Sequence, residues 1–310
     1  MKLLILLYFL CAILLTFYGI NSHVMIYLFK RHHARQRRED RIVVSNFYGG
    51  VVPLTDPQPF EKSLPTVTTQ LPIFNELNVA ERLIDAAAAM VYPRGLHEIQ
   101  VLDDSTDETR QIVAAKVVEL RRKGMDIKHI TRKDRKGFKA GALRFGLDRA
   151  SGEYLAIFDA DFVPPPDFLL KSIPFFIADS RLGFVQGRWG HLNGEESFVT
   201  RLQSIGINGH FMVEQSARNF NGLFMNFNGT AGIFRKTAVI DGGNWQYDTL
   251  TEDMDLSYRI QLAGWRCRYL VALVAPAESP SNVNAFKSQQ FRWAKGSIQT
   301  AKKLLPGILK

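Results

Sequence analysis

The sequence predicts an α/β fold, an open and mainly parallel sheet, placed behind an N-terminal membrane-spanning helix and closed by an amphipathic C-terminal segment. Three observations predict it. A long apolar run ends in a basic cluster near residue 30, short strands alternate with helices over residues 66–158, and residues 286–293 mix aromatic, amide and cationic groups at helical spacing. The 310 residues are 46% hydrophobic and 22% charged, enough for a sizeable core and unlike a disordered or collagen-like chain. Two cysteines are too few for a disulfide framework and fit a reducing compartment.

The net charge of +9 is unevenly placed: residues 1–41 carry +5, residues 292–310 another +5, and the body between them about −1. Basic ends on a neutral body argue against a nucleic-acid groove and for an anionic membrane surface, with membrane lipid as a partner. Residues 3–20 are uncharged and almost wholly apolar, and the apolar character resumes over 24–29. About 20 such residues cross a bilayer. The following Lys30-Arg31-His32-His33-Ala34-Arg35-Gln36-Arg37-Arg38 puts that flank in the cytoplasm. A cleaved signal peptide is the alternative, but the basic flank is on the wrong side and no Ala-x-Ala site follows. Residues 1–41 are thus an anchor with a basic juxtamembrane segment, and 42–64, rich in Pro and aromatics, a linker. An α/β domain fills 65–275 and an amphipathic segment 276–310.

Within the domain, residues 66–71 read as a strand, and Asn78-Val79-Ala80-Glu81 as a capping box opening a helix through Met90. A second strand covers 98–102. Ser105-Thr106-Asp107-Glu108 caps a helix that Gly124 stops. Residues 127–130 form a third strand, 137–149 a third helix, and 154–158 a fourth strand, an unbroken apolar run suited to a covered parallel sheet.

Ligands of such sheets bind beyond the carboxyl ends of the strands. Strand two ends in Asp103-Asp104 and strand four in Asp159-Ala160-Asp161. In an extended chain Asp159 and Asp161 share a face, and their mutual repulsion calls for a divalent cation, Mg²⁺ or Mn²⁺. Magnesium is usually held by one or two carboxylates plus substrate phosphates, which implies a nucleotide diphosphate. Either pair alone reads as ordinary turn residues; both on one edge point to a ligand site. No Gly-x-Gly-x-x-Gly or Gly-Lys-Ser/Thr loop follows the first strand, so backbone cradling of phosphate is unsupported.

A third acid cluster, Thr251-Glu252-Asp253-Met254-Asp255, opens a helix that runs to Gly264. First-turn acids suit the helix dipole, while Asp253 is a candidate general base. The dipole lowers its pKa and a bound diphosphate raises it; sequence leaves the balance open. Near the end, Phe286-Lys287-Ser288-Gln289-Gln290-Phe291-Arg292-Trp293 forms an amphipathic helix at a membrane surface, with Arg292 able to pair with phosphate and Trp293 to stack on a sugar. His97, His129, His191 and His210 lack ligand spacing and read as structural or surface residues.

Asp103-Asp104, Asp159-Ala160-Asp161, Thr251-Glu252-Asp253 and Gln289-x-x-Arg292-Trp293 together resemble the four-part signature of membrane-embedded family 2 glycosyltransferases, the cellulose synthase superfamily. The strings from Ile99 to Asp107, Arg135 to Leu143 and Phe227 to Gly232 are similar to its cellulose-synthase-like A and C groups, which make β-1,4-mannan, glucomannan or glucan backbones. The resemblance runs from about Pro65 to Trp293. It implies a GT-A fold, the Rossmann-like nucleotide-sugar-binding domain, and an inverting hexosyl transfer. The donor would be GDP-mannose or UDP-glucose, and the acceptor a growing β-1,4-linked polysaccharide at the cytoplasmic membrane face. By position, Asp103, Asp104 and Lys139 would line the nucleotide site. Asp159 and Asp161 would hold the diphosphate through Mg²⁺ or Mn²⁺, and Asp253 would take the acceptor proton. Gln289 and Arg292 would hold the diphosphate side, and Glu252 and Trp293 the acceptor. Family members continue into transmembrane channel helices, whereas this sequence ends at Lys310; the expectation is a fragment, or a chain that does not translocate polymer alone. A synthase complex is a further partner this implies. The alternatives are single-sugar transfer to a lipid (ceramide or polyprenyl phosphate) and a non-catalytic nucleotide-sugar-binding synthase subunit.

Overall fold

The computed structural model describes residues 1–308, so Lys310 of the basic tail lies outside it. Helix α1 (Lys2–Tyr48) opens the chain. The β1 (Val67–Ile73), α2 (Ala80–Ala88), β2 (His97–Asp103), α3 (Thr109–Arg122), β3 (Asp126–Thr131), α4 (Phe138–Leu147) and β4 (Tyr154–Ile157) alternation follows as read from sequence. These four strands are mutually parallel, with β1 between β2 and β4. The chain then adds α5 (Phe168–Ala178), β5 (Leu182–His191), α6 (Phe198–Asn208), a π-helical turn (Gly209–Gln215), α7 (Ser216–Phe220), β6 (Gly232–Arg235), α8 (Lys236–Asp241), α9 (Glu252–Leu262), β7 (Arg266–Ala277) and α10 (Val283–Ile308). β6 runs antiparallel between β4 and β5, and β7 parallel to β5, completing a seven-stranded mixed sheet in the order β3-β2-β1-β4-β6-β5-β7. One apolar layer, including Leu83, Val113, Phe168 and Phe176, covers one face; another, including Leu143, Phe184, Phe234 and Trp245, covers the other.

Three expectations change. The anchor, the basic segment and the first seven residues of the supposed linker are one continuous helix ending at Gly49 in the left-handed region. The reason is an inward stripe, Gln36, Asp40, Val43, Val44, Phe47 and Tyr48, at helical spacing. Asp40 pairs with Arg268 on β7, and the four following residues pack on the core. Burial pushes Asp40 up to about 6 against the opposing Arg268 charge. Pro174 inside α5 has no N–H for the Leu170 carbonyl, and the buried Tyr48 hydroxyl donates to that oxygen at 2.9 Å. Second, the Asn78 capping box does not form: α2 starts at Ala80 without a side-chain cap, and Glu81 instead pairs with Lys116 of α3 at 2.8 Å. Third, β7 carries the domain two residues past 275, and the amphipathic segment is the single helix α10.

Candidate active site

The parallel half places its acids at one edge, on both sides of the β1/β4 switch point. Asp103 ends β2 but turns inward. Its carboxylate is fully buried, accepting from His129 Nε2 at 2.8 Å and from the Ser105 N–H at 2.8 Å. Those hydrogen bonds overcome burial and hold it below the usual carboxylate range. A direct nucleotide contact is therefore not what this side chain offers; it joins β2 to β3 and shapes the turn. His129 is accordingly part of the edge. Asp104 is also nearly buried, gripped by Arg132, whose Nε donates to Oδ1 at 2.9 Å and whose Nη2 reaches Oδ2.

The premise of an extended Asp159-Ala160-Asp161 fails: the chain turns after β4, with the Phe162 N–H donating to the Asp159 carbonyl at 3.0 Å. The two carboxylates stay within each other's field nonetheless. Burial, then the Asp159 charge, pushes Asp161 up to about 7, and Glu76 beyond β1 is raised by burial, Asp159 and Asp107. No three-residue His/Cys/Asp/Glu metal cage exists among the described residues. Two crowded carboxylates, one of them disfavoured as an anion, fit a divalent ion that completes its shell with phosphate oxygens.

Lys139 joins this edge to α9. Its Nζ lies 2.5 Å from Asp159 Oδ1 and donates to the Gly229 carbonyl at 2.9 Å. Burial opposes its charge, but Asp159, Glu252 and Asp253 outweigh burial and raise its pKa. Gly229, at φ +85°, is pressed against Asp253: a Cβ there would stand 3.0 Å from its Oδ2. Burial decides the balance left open for Asp253 and raises its pKa, against Lys139 and two backbone N–H groups. Burial and the Asp253 charge lift Glu252 to about 7.

Beyond Asp253 opens a cavity of about 820 Å³. Its wall is largely apolar, including Trp189, Leu202, Phe211, Met254 and Phe286, and it takes in Gln289 and Trp293 from α10. Trp189 meets Trp293 edge-on at 6.2 Å. The rest of α10 fixes the base. Gly296 sits so close to Thr251 that a Cβ would meet its Cγ2 at 2.5 Å, Gln299 accepts from the Leu250 N–H at 2.9 Å, and Lys303 reaches Asp248 at 2.7 Å and the buried Asp255 at 3.1 Å.

Two assigned residues stand elsewhere. Arg292 is exposed and lies outside this cavity's wall, because neighbours on a helix diverge by about 100° and Trp293 takes the inward direction. Glu252 is outside the wall too, and its charge acts on Lys139. Conversely, His210, read as structural or surface, lines the cavity, as do Trp189 and Gln203. No spacing rule marks them, since they converge from separate elements.

Residues 70–243 match the model of the family described as Glycosyl transferase family 2. The chain is 39% identical over 298 residues to probable glucomannan 4-beta-mannosyltransferase 6 of Oryza sativa subsp. japonica, covering 95% of this chain and 50% of that protein. It is 42% identical over 252 residues to glucomannan 4-beta-mannosyltransferase 2 of Arabidopsis thaliana, covering 80% and 47%. The chain thus spans about half the length of the curated relatives it matches. Among solved structures, mannosyltransferase PcManGT from Pyrobaculum calidifontis, in complex with GDP-Man and Mn²⁺, superposes with a TM-score of 0.64 at 21% identity over 92% of this chain and 76% of that one. The matched family, the parallel half-sheet with its acid edge, and this superposition agree: the chain has a GT-A fold and belongs to glycosyl transferase family 2.

Proposed function

We propose that this chain carries the catalytic domain of a metal-dependent, inverting hexosyltransferase that moves a sugar from a nucleotide diphosphate to a β-1,4-linked polysaccharide. The observation that carries the reading is the place of Lys139: its half-buried ammonium pairs with Asp159 at the strand edge and lies in the field of the α9 carboxylates Glu252 and Asp253, beside a cavity large enough for sugar rings. The relatives' names support a mannan-type product, and GDP-mannose is the first donor to test, UDP-glucose the second.

In this reading the donor lies across the strand edge. Asp104 meets the nucleotide from its Arg132 clamp, and Asp103 acts through the turn it holds. Asp159 and Asp161 hold Mg²⁺ or Mn²⁺, which when bound neutralises charge developing on the leaving diphosphate. Lys139 adds a fixed positive charge on the same side. Gln289 meets the donor's diphosphate side, and Arg292 does so once α10 or the side chain turns inward. Trp293 offers its indole face to the acceptor sugar. Asp253 accepts the acceptor hydroxyl proton as oxygen attacks the anomeric carbon from the face opposite the diphosphate, which inverts the configuration. Helix α1 is long and apolar enough to cross a membrane, and its basic flank puts the domain on the cytoplasmic face, against anionic lipid. The largely apolar cavity wall favours one second reading, a lipid-linked acceptor.

The test is a donor panel on the full-length protein in membranes, with Mg²⁺, Mn²⁺ or excess chelator. Turnover of one donor with metal, and loss of roughly 10²-fold or more in chelator, is expected. Full activity in chelator overturns the metal assignment, and no turnover of any donor overturns the enzyme reading.

A further inference from the structure

Two titratable side chains line the cavity, Asp253 and His210, and the chemistry above uses only the first. His210 sits on the π-helical turn Gly209–Gln215, a widened turn that re-aims side chains and recurs at functional sites. Its ring is engaged at both nitrogens, and the direction of each bond follows from one fixed acceptor. The Asn226 backbone carbonyl accepts from Gln215 Nε2 at 2.9 Å, which orients the Gln215 amide. The same nitrogen donates to Asn228 Oδ1 at 2.6 Å, so Asn228 turns its Nδ2 toward His210 Nε2, 3.2 Å away. That ring nitrogen must accept, which leaves the ring proton on Nδ1, donating to Glu214 Oε2 at 3.0 Å. Glu214 is clamped in turn by Arg218, through Nε at 3.0 Å and Nη2 at 2.8 Å. The hydrogen bonds from His210 and then Arg218 hold its carboxyl down at about 2.

The outcome is an imidazole whose Nε2 faces the Asn228 amide, and an Asn228 amide with one N–H committed to it. The other Nδ2–H remains for a ligand, and both side chains border the cavity. The His210 side chain is 32% exposed, unlike an internal strut. Asn228 immediately precedes Gly229, the residue pressed against Asp253.

We propose that His210 is an acceptor-positioning residue: by accepting from Asn228 it fixes the amide whose free N–H binds a ring hydroxyl of the incoming acceptor sugar, and so aims the neighbouring hydroxyl at Asp253. The inference rests on the transferase reading and adds to it a specificity contact. Its ligand is a neutral, hydroxyl-rich sugar end, which a hydrogen-bond donor in a largely apolar wall recognises by hydroxyl position.

The experiment uses the full-length protein reconstituted in membranes, a soluble β-1,4-linked mannotriose or cellotriose as acceptor, and the donor found active. H210A is expected to raise KM for the trisaccharide roughly five- to tenfold, what one neutral hydrogen bond is worth, with GDP or UDP affinity by calorimetry unchanged. H210Q, whose amide oxygen can accept from Asn228, is expected to recover most of that loss. An unchanged acceptor KM in H210A overturns the assignment, as does a parallel loss of nucleotide affinity, which marks a strut. If H210A does not fold, Glu214→Gln, which keeps the ring but loosens its Nδ1 anchor, must raise acceptor KM at unchanged nucleotide affinity; no rise overturns the proposal. A wild-type protein that turns over no donor refutes the transferase reading itself, a result distinct from all of these.

Discussion

The acid edge and the cavity, proposed above as donor and acceptor sites, adjoin at Lys139 and Asp253 but are built on opposite plans. At the edge three of the four acids already have a counter-group: His129 for Asp103, Arg132 for Asp104, Lys139 for Asp159. It is a polar surface with its charges oriented in advance, suited to a ligand whose recognition is mostly electrostatic. The cavity is apolar, with walls from β5, α6, the π-helical turn, α9 and α10, and it recognises shape and a few hydroxyls. The acid on its wall, Asp253, lies at the border between the two. A base is most useful there: dry enough to want a proton, near enough to cations to remain an anion.

Four measurements break or sharpen that contrast. The largest effect belongs to the border. Asp253→Asn keeps the shape but removes proton acceptance, and is expected to cost about 10²–10⁴-fold in transfer while leaving nucleotide affinity intact. A loss under about tenfold would assign the proton to another group. Burial raises the Asp253 carboxyl above the usual carboxylate range against the opposing Lys139 charge. A base works as the anion, so kcat/KM is expected to fall with pH sooner than an ordinary carboxylate near about 4 would make it, and a profile flat down to about pH 4 would contradict it. Next comes Trp293→Ala, which strips one wall of the cavity. It is expected to raise acceptor KM by roughly two- to tenfold, the value of an aromatic contact, with donor KM unmoved. Equal changes in both would mean the two regions are not separable. The smallest effect on turnover is expected for Tyr48→Phe, which touches neither region. It leaves the Leu170 carbonyl unpaired, at about 1–3 kcal/mol, so the thermal midpoint should drop by a few degrees at unchanged KM for both substrates.

The contrast also explains what the sequence could yield. The donor edge is legible because topology alone brings the ends of β2 and β4 together, and acids there stand out. Finer statements depend on geometry absent from a motif. Asp103 turns inward because parallel register opposes it to Thr131 and brings His129, two residues earlier on the same face, into reach. Asp159 and Asp161 stay close through a turn, not through an extended segment. Arg292 and Trp293 are adjacent in sequence and divergent on the helix, so only docking decides which faces inward. The cavity is least legible. Trp189, Gln203 and His210 converge from distant elements with no shared spacing, and His210 carries meaning only beside Asn228 and Glu214.

The continuity of α1 has a mechanical consequence. At 1.5 Å per residue its 47 residues reach about 70 Å, of which about 30 Å suffices for a hydrocarbon layer. The remaining arm is bolted to the domain at Asp40 and Tyr48, and packs on α7 and the π-helical turn, the segment bearing His210, Glu214 and Arg218. Were its first half seated in lipid, as proposed above, such an arm would be a lever without a joint. A helix tilt of 10°, ordinary when bilayer thickness changes, would swing its far end by roughly 7 Å. Membrane thickness would then set the pitch at which the catalytic face meets the bilayer, making the lipid a structural dimension of the enzyme as well as its support.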